Sequence, residues 1–236
     1  MADSTTKETT TIAAEGNNFM QNFIAEHKVP REAHQYFTRP DSWLTPYITS
    51  PSYDPIPTFS RVLKRTGEDY FFSRTVATPQ TIPHLISLQR KAWHLPEETP
   101  KGQSIPYFDG DNRAKVAAPA EPDTLFLLAL ARPGLDGHPH VIHGGMSCAI
   151  LDEMMGLCIM LHHQHISGPR DSLFTANLNV SYKAPVPTPS DVLVKAWLVA
   201  RQGRKWYSIG QITDRDGNVL AEGKGIWVMT KRQGKI

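Results

Sequence analysis

Residues 143–160 read HGGMSCAILDEMMGLCIM. The opening of this stretch is loop-like. Pro133, Gly134, Gly137 and Pro139 punctuate the approach, and Gly144-Gly145 lets the backbone come close to another group. From Met146 the residues are helix formers or small apolar groups, with no proline before Pro169. Met146, Ile150, Leu151, Met154, Met155, Leu157, Cys158 and Leu161 fall on every side of that helix, which places it inside a core. Asp152 and Glu153 are the exceptions. A carboxylate in a buried helix is costly unless paired or used. Asp152 is therefore either held by backbone donors or a cation, or catalytic.

On either side of this helix the chain reads as strands. Thr124–Ala131, TLFLLALA, is an apolar run of strand length. After the helix, Phe174–Lys183 alternates cleanly. Phe174, Ala176, Leu178, Val180 and Tyr182 are expected on one face, and Thr175, Asn177, Asn179, Ser181 and Lys183 on the other. Val192–Ala200 and Lys205–Thr213 are two further strands. Asp216-Gly217-Asn218 is a hairpin turn, and Val219–Met229 is the last strand, with Gly223 and Gly225 expected as bulges. Strand, buried helix, then four strands in meander predicts an α+β fold, an antiparallel curved sheet wrapped around one long central helix.

Further out the pattern weakens. Residues 1–15 are Thr-rich and polar, which predicts disorder. Residues 17–38 have helical spacing in part. Residues 39–58 carry five prolines with Trp43, Tyr47 and Tyr53, the composition of a segment that wraps a surface. Residues 69–77 suggest a strand, and Leu85, Ile86, Leu88 and Trp93 a short amphipathic helix. Residues 96–122 read as a long surface loop. The division expected is an N-terminal extension over 1–58 and one domain over 59–236.

The 236 residues carry a net charge of +2, so no global field marks the chain for nucleic acid or a membrane surface. No apolar run of spanning length and no signal-peptide core is expected. Cys148 and Cys158 lie ten residues apart on one helix, ~15 Å along it, too far for a disulfide. Both are expected to be reduced, buried and small. That suits a reducing compartment, the cytoplasm with the mitochondrion as the alternative.

His143-Gly-Gly, the carboxylate at Asp152, and Thr175-Ala-Asn-Leu-Asn-Val-Ser-Tyr-Lys-Ala-Pro-Val-Pro187 together resemble the hotdog-fold thioesterase superfamily. The likeness is greatest to the phenylacetate-type and mitochondrial acyl-CoA thioesterases, and Gly203-Arg204-Lys205 before a strand fits the same group. The resemblance covers residues 124–230 and implies the hotdog fold. It also implies hydrolysis of an acyl-CoA or acyl-carrier-protein thioester, with no cofactor. Asp152 would be general base or nucleophile, and the Gly144 N–H at the helix start the oxyanion donor. Thr175 would position water or carboxylate, and His143 the carbonyl or the loop. Gly145, Ser181, Lys183, Arg204 and Lys205 would contact the substrate and its carrier.

Gly144 and Asp152 lie ~12 Å apart along one helix, beyond the reach of an aspartate. One copy therefore cannot place both on one carbonyl, and two antiparallel copies can. This predicts a homodimer or a dimer of dimers. Glu153 points ~100° away and is expected to be paired or solvated.

Three other readings compete. His138, His140, His143, His162, His163 and His165 cluster in sequence, but no HExxH or paired-cysteine motif accompanies them. A hotdog dehydratase carries a histidine four or five residues after its aspartate, where this chain has Gly156 and Leu157. A non-catalytic acyl-binding protein on the same fold is the third.

Overall fold

The structure is a computed structural model that describes residues 19–108, 119, 121–163 and 172–230. The disorder expected for residues 1–15, much of the expected loop near 109–120, and His165 lie outside the described residues.

Helix α4 (Gly144–His163) is the long central element. Among the described residues an antiparallel sheet of seven strands packs on it. The spatial order is β1 (Tyr53–Ile56), β2 (Leu85–Arg90), β3 (Thr124–Leu130), β7 (Ser190–Gln202), β8 (Lys205–Thr213), β9 (Val219–Thr230) and β6 (Ser172–Tyr182). A short hairpin, β4 (Asp136–His138) and β5 (Val141–Ile142), leads into α4. Ahead of β1 come α1 (Phe19–Glu26), α2 (Arg31–Phe37) and α3 (Thr45–Ile48). This is the expected α+β architecture, a hotdog-like sheet on a long helix with an N-terminal extension.

The sheet approaches α4 closely because two glycines let it. A Cβ at Gly210 would lie 2.8 Å from Met155, and one at Gly223 would lie 3.1 Å from the Met155 Sδ. Gly223 and Gly225 keep regular register in β9, so they make room for the helix and for the Trp227 ring rather than forming bulges. On length and composition α4 could cross a bilayer, contrary to the sequence-based expectation. In this fold it is the core helix, with Ile150, Leu151, Met154, Met155, Cys158 and Ile159 fully buried.

The sheet is covered on its other face as well. Phe126, Leu128 and Leu130 of β3 join the core around α4. Leu125, Leu127 and Ala129 join a second core with Ala33, Phe37, Leu44 and Ile48 from the N-terminal helices. Burial on both faces explains why β3 is continuously apolar. Asp191 at the start of β7 pins α2, accepting from Tyr36 Oη at 3.0 Å and Arg39 Nη2 at 2.6 Å.

Three local expectations are overturned. Residues 85–90 are strand β2, not an amphipathic helix. Leu85 faces one core while Ile86 and Leu88 join the other, and two-sided burial imitates helical spacing. Residues 71–75 form a π-helical turn, not a strand. The four strands after α4 are not a simple meander. β7, β8 and β9 are, but β6 pairs with β9 at the sheet edge, so the 183–189 connection crosses the ends of β9 and β8.

The β6–β9 register shifts between Thr175 and Asn177. Leu173 and Thr175 lie opposite Met229 and Trp227, while Leu178, Val180 and Tyr182 lie opposite Gly225, Gly223 and Ala221. All of these face α4. The bulge thus turns Thr175 to the helix side and leaves Phe174 59% exposed, which corrects the strict alternation.

Candidate active site

The β4–β5 hairpin delivers the chain to the start of α4. Gly137 is needed there, because a Cβ would lie 2.7 Å from the His143 Cα. His143 then caps the helix. Its carbonyl accepts from the Met146 and Ser147 N–H groups at 2.8 and 3.2 Å, and its Nδ1 accepts from the Gly145 N–H at 3.0 Å. That last bond requires the Nδ1 lone pair. Asp136 ties the hairpin down through Thr188 and Arg132, and these hydrogen bonds hold its carboxyl below the usual carboxylate value. The Gly144 N–H has no acceptor among the described residues.

Gly144, Cys148 and Asp152 follow at intervals of four and form one stripe along α4. Strand β6 runs beside it in the opposite sense. At one end Thr175 Oγ1 donates to Asp152 Oδ1 at 2.7 Å. At the other, Tyr182 Oη donates to the Gly144 carbonyl at 2.9 Å and meets Cys148 Sγ at 2.9 Å. The bond to Cys148 pushes the Tyr182 phenol up to about 12. Asp152 is half-buried, and its Oδ2 has no partner among the described residues. The outer edge of β6 is unpaired there too.

Beside Asp152 and Thr175 opens a cavity of about 340 Å³ between α4, β6 and the N-terminal segment. Phe19, Phe59, Leu157 and Trp227 give it apolar walls, and Asp69 and Glu153 give it acidic ones. Glu153 is neither ion-paired among the described residues nor freely solvated, which corrects the expectation. Burial, then the charges of Asp69 and Asp152, raise its carboxyl to about 7. Lys64 bonds to Asp69 and to the Phe59 carbonyl, at 3.1 Å for the latter.

The carrier-contact candidates divide between two ends of the sheet. Ser181 and Lys183 lie at the Gly144 end, with Lys183 paired to Glu222 at 3.1 Å. Arg204 and Lys205 sit in the β7–β8 turn, where Lys205 pairs with Val228 beside Phe174, the Asp152 end. Eight residues of strand separate Thr175 from Lys183, ~26 Å. The histidine cluster is likewise split. His138, His140 and His143 precede α4, while His162 and His163 end it, ~28 Å further along.

Residues 140–221 match the family model described as the thioesterase superfamily. The match covers about a third of the chain. The acyl-coenzyme A thioesterase THEM4 of Rattus norvegicus is 34% identical over 86 residues, 36% of this chain and 34% of that protein. The uncharacterized mitochondrial membrane protein FMP10 of Saccharomyces cerevisiae is 28% identical over 124 residues, 51% of this chain and 45% of that protein. The chain thus spans less than half the length of each. Among solved structures, a hypothetical thioesterase from Streptococcus pneumoniae with coenzyme A has TM-score 0.41 at 14% identity, over 47% of this chain and 80% of that one. Zebrafish thioesterase superfamily member 2 has TM-score 0.40 at 15% identity, over 48% and 78%.

The superfamily segment holds every candidate site residue named from the sequence. Sequence reading missed Tyr182 and Cys148. Tyr182 reads there as one more apolar position of a strand. Cys148 reads as a buried hydrophobe like Cys158, but it is only half-buried and faces Tyr182.

Proposed function

We propose that this chain hydrolyses acyl thioesters of coenzyme A or a carrier protein, as a homodimer whose sites are shared between copies. The carrying observation is the arrangement of one stripe on α4. Among the described residues, an N–H without an acceptor stands at Gly144, and a carboxylate held only by Thr175 stands at Asp152, ~12 Å apart beside an unpaired strand edge. No cation and no backbone donor holds Asp152 among the described residues, which favours a chemical role over a structural one.

A second copy paired antiparallel along β6 brings its Gly144 end to the Asp152 end of the first. The two groups of basic residues, Lys183 of one copy and Arg204 and Lys205 of the other, then meet on one side. They supply charge for the carrier's phosphates, with Ser181 beside them. The acyl group enters the cavity next to Asp152. Water attacks the thioester carbonyl while Asp152 Oδ2 takes its proton. The carbonyl oxygen becomes an anion on the Gly144 N–H of the other copy. The C–S bond then breaks, the thiolate leaves and recovers the proton, and the free acid remains. Thr175 fixes the rotamer of Asp152, and His143 keeps Gly145 tied so that the Gly144 N–H points outward.

The test is release of thiol from a panel of acyl-CoA substrates, measured on the protein and on Asp152→Asn. Turnover that falls at least ~10²-fold with an unchanged melting temperature is expected. A destabilised but fully active variant overturns the reading.

A further inference from the structure

We infer that a second pocket, centred on Arg61, binds a small oxyanion, a carboxylate or a phosphate group. The pocket holds about 420 Å³, within the range of small-molecule sites, and lies outside the Asp152 cavity. The segment after β1 separates the two. Phe59 and Asp69 line the Asp152 cavity, while Thr58, Arg61 and Ser73 line this one.

Arg61 forms its floor. Three backbone carbonyls orient the guanidinium: Nη1 donates to Phe72 O at 3.2 Å, and Nη2 to Ile82 O at 2.7 Å and Pro83 O at 3.4 Å. Carbonyls fix its position but bring no counter-charge. No carboxylate pairs with Arg61 among the described residues. Burial pulls its pKa down to about 10. A largely desolvated cation without a counter-charge is costly. The guanidinium has five N–H donors, and the carbonyls occupy at most three, so at least two remain.

The rest of the lining suits the same guest. Lys28 and Arg74 stand exposed at the rim, neither of them ion-paired among the described residues, and His84 lines the wall. Glu32 is the one carboxylate there and is exposed. Ser73, only 8% exposed, lies in the same lining. A structural clamp accounts for the three carbonyl bonds of Arg61. It does not account for two rim cations that are not ion-paired among the described residues. An oxyanion accepts from Arg61 and from both rim cations.

The test titrates the full chain at constant ionic strength with inorganic phosphate in one arm and acetate in the other, by calorimetry and thermal shift. One saturable site per chain is expected for at least one anion, and the arm that responds identifies the source. The double variant Lys28→Gln/Arg74→Gln, whose side chains are exposed, is expected to weaken binding at least ~10-fold. Arg61→Gln is expected to abolish it. Lys183→Gln/Arg204→Gln, at the thioester site, is expected to leave it intact. If Arg61→Gln fails to fold, the rim variant still decides. No saturable binding of either anion, or binding unchanged in the rim variant, overturns the proposal.

Discussion

Thr175 and Tyr182 lie seven residues apart on β6, yet both hydroxyls reach α4: Thr175 bonds Asp152 at 2.7 Å and Tyr182 bonds the Gly144 carbonyl at 2.9 Å. An odd spacing puts two residues on opposite faces of a regular strand. The bulge between Thr175 and Asn177 restores them to one face. One strand thereby braces both ends of the stripe that carries the proposed chemistry.

Removing the Thr175 hydroxyl should therefore disturb Asp152 more than the fold. Thr175→Val keeps shape and β-propensity but frees Asp152 Oδ1. Turnover of the best acyl-CoA is expected to fall ~10- to 10²-fold, the cost of a misplaced catalytic group, with little change in melting temperature. Thr175→Ser should recover most of it. Equal rates in all three proteins would remove Thr175 from the mechanism.

The bulge marks the limit of what the residues reveal by themselves. TLFLLAL announced a strand because both faces of β3 are covered, and the helix 144–163 announced itself by its unbroken apolar run. The same two-sided burial made Leu85, Ile86 and Leu88 look helical. Whether a strand is covered on one face or two depends on α2 and α3, which precede β2 by 48 and 37 residues. The bulge has no signature in FTANLNVSY, where alternation continues unbroken through the shifted register. Asp152, Gly144 and Thr175 were legible as residues. That Thr175 touches Asp152, and that Tyr182 and Cys148 complete the stripe, required the register of β6 against β9.

Glu153 should give stability a pH dependence of definite sign. Its folded-state carboxyl lies at about 7, above the usual value of 4.5. Between these values the folded chain binds more protons than the unfolded chain, so stability falls as pH rises. The contribution is complete below about 4.5 and lost as pH passes through about 7. Glu153→Gln removes the titration. Its melting temperature is expected to decline less than that of the parent over this window, and superimposable profiles would contradict the assignment.

Helices α2 and α3 should matter for stability rather than for chemistry directly. Phe37 is fully buried in the core that covers the outer face of β2, β3 and β7. Phe37→Ala is expected to destabilise the chain by ~3–5 kcal/mol in chemical denaturation. The rate per folded molecule should be retained at low temperature. A loss near zero would mean that this covering layer does not fold cooperatively with the sheet.

The shared site gives the most direct prediction. Asp152→Asn removes the base, and Gly144→Pro removes the oxyanion donor. Gly144 is the first residue of α4, a position where proline is well tolerated, so this variant should fold. Each alone is expected to lose ~10²- to 10³-fold in turnover. In a dimer that mixes the two chains, one site takes both lesions. The other takes Asp152 from the Gly144→Pro chain and Gly144 from the Asp152→Asn chain, and is intact. Random mixing of equal amounts makes half the dimers mixed, each with one good site of two. Activity should therefore return to about one quarter of the parent after exchange of subunits. Exchange can be verified by a mass-tagged copy. If the mixture stays as inactive as its components while exchange is complete, both groups act within one chain, and the two-copy site is wrong even if hydrolysis itself is right.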